Sequence, residues 1–175
     1  MPPDPALPPQ ERLRYPLERY DAQFNLRIPA TLWLIMVLLL RHGLLLIITF
    51  MPTTGKEITV LRDLIRPEFL LADALALPVF ISAIRRNAKR TPAWMPRVWR
   101  HARTLLSLSL LLYLGLLSAP LVAGTGPLVQ RLSEAALLSA LLNLAALAYL
   151  WRSPLLPDLF RDWPQPLPSA LWHEN

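Results

Sequence analysis

The chain has 175 residues, 54% of them apolar, with 18 Lys and Arg against 12 Asp and Glu and a net charge of +6. That length fits one domain, and the lack of cysteine excludes disulfides, thiolate metal sites, iron–sulfur clusters and cysteine nucleophiles. The mean hydropathy is +0.36, and the basic residues flank apolar blocks about as long as a bilayer is thick, which points to orientation in a membrane and away from nucleic acid.

Residues 1–28 are polar and rich in proline. Proline fixes φ and removes amide donors, so an extended cytoplasmic tail is expected, with Arg14 to Asn25 ordered against the membrane surface. No short apolar core follows a basic start, so this is not read as a signal peptide. The first apolar block, Pro29–Met51, has 23 residues. As one helix it would rise about 34 Å, enough to cross a hydrocarbon core of roughly 30 Å. Thr54 and Glu57 then have capping-box spacing. Ile58, Leu61, Leu64 and Ile65 share one face, which predicts a short interfacial helix in an outer loop.

The second block runs over about 68–84, with Pro78 expected to kink it. A loop with seven basic residues follows: Arg85, Arg86, Lys89, Arg90, Arg97, Arg100 and Arg103. Attraction to anionic headgroups is the role expected of them. The third block covers 104–123, the fourth 133–151, and Gly124, Gly126 and Pro127 turn between them. A second proline-rich tail, 152–175, closes the chain.

The pattern therefore predicts an all-α integral membrane protein with four transmembrane helices over 29–151. The two tails and the 85–103 loop hold 13 of the 18 basic residues. The positive-inside bias puts them in the cytoplasm, under a bacterial inner membrane. A barrel is excluded because the blocks do not alternate apolar and polar residues.

Arg41 falls near the middle of the first block, beside His42. A charge at mid-bilayer costs about 2.5–3.5 kcal/mol and must find a partner. Asp73 in the second span and Glu134 at the start of the fourth are available. From the outer helix ends Arg41 would lie roughly 15 Å deep and Asp73 roughly 8 Å. Snorkelling of the guanidinium makes an Arg41–Asp73 pair the expected contact, with His42 or Glu134 as a third member. Ala135, Ser139 and Asn143 in the fourth span and Gly115 in the third have the spacing of helix-packing positions. No cofactor is expected, since no HExxH motif, phosphate-binding glycine loop or GxSxG elbow occurs.

Several short stretches carry a family likeness. Tyr15-Pro16-Leu17, Tyr20-Asp21 and Asn25-Leu26-Arg27-Ile28-Pro29 lead into Leu32-Trp33 and Leu40-Arg41-His42, and Phe160-Arg161-Asp162-Trp163-Pro164 follows the last block. The chain resembles the YfeZ-like bacterial inner-membrane proteins, a group of unknown function, over about residues 15–164. The resemblance implies four inner-membrane helices and supplies no activity. It departs at His42-Gly43, where Pro-Trp is the family pattern.

The reading that follows is a non-enzymatic accessory or scaffold protein, with membrane lipids, other membrane subunits or a second copy as partners. The alternative is a small ion, proton or solute transporter using Arg41, Asp73 and Glu134. A lipid-modifying enzyme ranks third, because no cluster of acid, base and nucleophile can be assembled.

Overall fold

The computed structural model describes residues 14–21, 25–49, 67–86, 91–123 and 134–164. The expected interfacial helix, the Gly124–Pro127 turn, Lys89, Arg90 and parts of both tails (1–13, 22–24 and 165–175) lie outside these residues. Among the described residues there are seven α-helices: α1 Ala30–Leu39, α2 Arg41–Thr49, α3 Leu70–Ile84, α4 Trp94–Arg100, α5 Ala102–Ala123, α6 Glu134–Arg152 and α7 Leu155–Arg161. Short 3-10 turns at Leu17–Arg19 and Pro67–Phe69 complete the set.

The long helices are rich in Leu and Ala, both strong helix formers. The segments Pro67–Ile84, Ala102–Ala119 and Glu134–Arg152 are each long and apolar enough to cross a membrane. The first block differs from the single helix expected of it. It forms two helices, α1 and α2, bent by 60°. Leu40 at the break has φ −89° and ψ 7°. Counting the bent pair as one span raises the total to four. Helix α3 runs unbroken through Pro78, and the Ser82 hydroxyl donates to the Pro78 carbonyl at 2.7 Å.

Helices α3 and α5 pack most closely, and α6 lies on α5. Ser109 on α5 donates to the Ala72 carbonyl of α3 at 2.8 Å, tying the two backbones. The main core draws on α1, α3, α5 and α6, and then continues past the helix ends through Trp99, Leu156, Leu159 and Phe160. Trp99 is fully buried. Its indole donates to the Leu159 carbonyl at 2.9 Å.

The segments expected to form loose tails and a loop are in part folded together at this end. Residues 19–21 and 25–27 lie side by side, with the Arg27 N–H donating to the Arg19 carbonyl at 2.8 Å and an isolated antiparallel bridge between Tyr20 and Leu26. Tyr15 donates to Asp158 on α7 at 2.6 Å. That bond raises the Tyr15 phenol above its ordinary pKa, with burial adding to it. Helix α7 follows Pro154, whose missing amide costs nothing at a helix start. Leu155, Leu156, Leu159 and Phe160 bury its inner face.

Arg86 joins these pieces. Its side chain is 4% exposed. One terminal nitrogen donates to the Leu26 carbonyl at 2.7 Å. The other reaches the Asp162 carbonyl at 2.9 Å and the Asp162 carboxylate at 3.0 Å. The same carboxylate accepts the Leu26 amide at 3.1 Å. Burial pushes the guanidinium pKa down, and the charges of Asp162 and Asp21 oppose that shift. Arginine remains a cation throughout. We expect Asp162→Ala to destabilise the chain by about 1–3 kcal/mol, because a buried charged donor loses its acceptor. Arg85→Ala, at an exposed neighbour, should stay within about 0.5 kcal/mol. Thermal unfolding of the purified chain in detergent measures both, and equal midpoints would show that Arg86 does not tie the segments.

Candidate functional site

The polar residues of the helical region gather at the α1–α2 break. In a continuous helix the Gly43 amide would bond Leu39 and the Leu38 carbonyl would accept from His42. Here the Asp73 carboxylate, on α3, accepts the Gly43 amide at 2.7 Å. The Arg41 guanidinium donates to the Leu38 carbonyl at 3.0 Å. Two backbone groups released by the bend are thus satisfied by two ionisable side chains. Asp73 also places negative charge at the N-terminus of α2, which the helix dipole favours. A Cβ at Gly43 would meet Asp73 at 3.5 Å, an ordinary contact, so the glycine is not required by space.

Arg41 and Asp73 do not form the expected ion pair. The second Arg41 donor goes instead to the Ser139 hydroxyl on α6 at 2.9 Å. Its guanidinium carbon sits 4.2 Å from the Tyr113 ring centroid, a cation–π geometry. Tyr113 and Ser139 hydroxyls are 3.0 Å apart. Ser139 therefore links α2, α5 and α6. Asn143, one turn on and fully buried, donates to the Ser139 carbonyl at 2.6 Å.

His42 lies against the other side of Tyr113. Its ring stacks on Phe69 at 5.0 Å and on Tyr113 at 5.7 Å between centroids. Its Nδ1 faces Asp73 Oδ1 at 3.6 Å, beyond hydrogen-bond distance. Both atoms are buried without a hydrogen-bond partner among the described residues. Ser139 and Tyr113 supply hydroxyls, but neither is hydrogen-bonded to His42 in a nucleophile–base arrangement. Among the described residues no group of three or more His, Cys, Asp or Glu is placed to hold a metal ion.

The remaining expected positions are spread out. Glu134 is exposed at the first residue of α6 and stands outside the cluster. Ser139 and Asn143 face inward, whereas Ala135 and Gly115 are exposed. Nothing lies within 4 Å of a Cβ built on Gly115, so it mediates no close helix approach in this chain. Of the basic loop, Arg85, Arg97 and Arg100 are exposed and open to headgroups. Arg86 is enclosed by protein, and Arg103 lies over Trp151 at 4.1 Å. Phe69 and Tyr113 were not singled out by sequence. Only their position opposite His42 in the folded chain gives them a role.

The architecture is that of an all-helical chain with three or four helices long and apolar enough to cross a membrane, crossed by one polar cluster. The chain belongs to the DUF2919 family, proteins of unknown function, which matches residues 15–162. The matched stretch begins at Tyr15, which bonds α7, and ends at Asp162, which holds Arg86. Neither a curated protein nor a solved structure matches the chain.

The geometry predicts different outcomes for two replacements of Asp73. Asparagine keeps an acceptor for the Gly43 amide, while alanine leaves a buried donor unpaired, at a cost of about 1–3 kcal/mol. We expect Asp73→Ala to lower the unfolding midpoint in detergent clearly more than Asp73→Asn. Equal loss in both would mean that charge, not the amide bond, is what Asp73 provides.

Proposed function

We propose that the chain is a four-span protein of a bacterial inner membrane, YfeZ-like, with both ends in the cytoplasm, and that it works without catalysis as an accessory or scaffold subunit. Several features support the topology. Three helical segments are each long and apolar enough to cross a membrane, and the bent pair α1–α2 taken as one span makes the fourth. The N-terminal segment, the end of α3, α4 and α7 meet at one end of the helices. An even number of crossings brings them there, and the basic residues at that end fit the cytoplasmic side.

The observation that carries the scaffold reading is the engagement of Arg41 and Asp73. Both are bonded to backbone groups of the helix break or to Ser139. In lipid an unsatisfied backbone group costs several kcal/mol, so these residues are accounted for by holding the bend. Meanwhile α6 presents Leu137, Leu138, Leu141 and Leu144 outward. Such a face is available to another membrane helix.

A second reading has one observation in its favour. The unpartnered His42 and Asp73 atoms, 3.6 Å apart, are what a proton-carrying transporter would place in a span.

Because the chain has no cysteine, single reporters test the topology. Cysteine at Gly126 should react with an impermeant maleimide from the periplasm, and cysteine at Arg97 only after permeabilisation. The reverse order overturns the layout. For the role, Leu141→Trp should leave the protein in the membrane yet reduce a stoichiometric partner several-fold on purification in mild detergent. No stoichiometric partner, or loss of a transport phenotype in a well-expressed His42→Phe or Asp73→Asn variant, rejects the scaffold reading.

A further inference from the structure

A cleft of about 670 Å³ opens between the N-terminal segment and the end of α3. Its volume lies within the range of ligand pockets. Its lining divides by chemistry: Arg27, Arg86 and Asp21 are charged, while Ile28, Trp33 and Ile84 are apolar. Ile84 is 59% exposed on the outer surface of α3. Trp33 is anchored edge-on against Phe80 at 5.9 Å. The apolar wall is thus continuous with the helix surface that faces lipid in the four-span reading. The charged wall lies at the cytoplasmic end.

Arg86 is the second observation. Its Nε is buried and lacks a hydrogen-bond partner among the described residues, although the two terminal nitrogens are engaged. The buried guanidinium therefore adds positive charge behind the cleft wall rather than a free donor inside it. Arg27 stands at the same cleft with its side chain exposed. Its backbone N–H donates to the Arg19 carbonyl at 2.8 Å. Asp21, whose carboxylate accepts the Asn25 amide at 2.9 Å, keeps the charge on this wall mixed rather than purely basic.

We propose that this cleft holds the phosphate-bearing headgroup of one membrane glycerophospholipid. The phosphate lies on Arg27, with the Arg86 guanidinium behind it, and an acyl chain leaves over Ile28, Trp33 and Ile84. Basic pockets between helices at the cytoplasmic face are suited to such headgroups. The apolar half of the lining distinguishes this ligand from a soluble phosphate, which would leave Ile28 and Ile84 uncovered. This inference rests on the membrane reading of the proposed function, not on the scaffold role.

The test uses the full chain purified in detergent. It is incubated with dioleoyl phosphatidylethanolamine or with dioleoylglycerol, which has the same chains without phosphate, and bound lipid is counted by native mass spectrometry. One phospholipid per chain is expected, with at least fivefold less dioleoylglycerol. Arg27→Gln, an exposed change that leaves the fold in place, should lower phospholipid retention about fivefold, as loss of one basic contact does. Equal retention of the two lipids, or no effect of Arg27→Gln, overturns the site. Displacement of the lipid by millimolar glycerol phosphate assigns the cleft to a soluble phosphate and overturns the lipid. Alkaline extraction of the source membranes separates the failures. Release of the chain rejects the membrane reading and the site together. A retained chain that fails the lipid test rejects the site alone.

Discussion

One buried cation organises the end of this molecule where its chain segments converge. Arg86 bonds residue Leu26 before the first helix and residue Asp162 after the last long one. A guanidinium suits the task because it offers five donors in a rigid planar fork. Taking such a charge out of water is costly, and only several well-placed acceptors offset that cost. Two carbonyls and one carboxylate do so here. The arrangement has a topological consequence. Residues far apart in sequence must return to the same end, which restricts how many times the intervening helices can traverse whatever separates the two ends.

The α1–α2 break is the second constraint, and its logic inverts that of Arg86. At Arg86 backbone carbonyls satisfy a charge. At the break, charges satisfy the backbone. Asp73 accepts a freed amide and Arg41 supplies a freed carbonyl with a donor. Each is bonded by a group that the bend itself creates, so bend and side chains depend on one another. Tyr113 serves both sides of the cluster, with its face to Arg41 and His42 and its hydroxyl near Ser139.

Much of the fold was legible in the sequence, because block length and the absence of charge are local properties. The second, third and fourth blocks agree with α3, α5 and α6 to within two or three residues. The position and angle of the break were not legible. Leu38, Leu39 and Leu40 carry no glycine or proline signal, and the cause lies across the structure in Asp73. The same holds for Arg85 and Arg86, adjacent and alike in sequence, of which one is exposed and one buried. Their places follow from the turn after α3 and from where Asp162 sits. Helix α7 was hidden in a proline-rich tail. Its apolar residues Leu155, Leu156, Leu159 and Phe160 fit one face, but seven residues are too few for periodicity to stand out. The polar cluster was half visible: sequence singled out Arg41, His42, Asp73 and Ser139, and mispaired them.

The two ends of the chain also differ in what holds them. Around Trp99, Leu156 and Phe160 the alternative to packing is water, and burial of a large apolar side chain contributes about 1.5–3 kcal/mol. Among α3, α5 and α6 in the membrane reading, the alternative is lipid, and the hydrophobic effect offers no such preference. Specific polar contacts then matter more than area. They are present where the long helices meet: Ser109 with Ala72, Tyr113 with Ser139, and Trp151 with Ser107 at 3.1 Å. Each joins two helices that apolar side chains alone would not hold in register. In that reading the end around Trp99 is a small core built on hydrophobic burial and tied by Arg86, while the long helices are held in place by a few hydrogen bonds with Ser139 among their junctions.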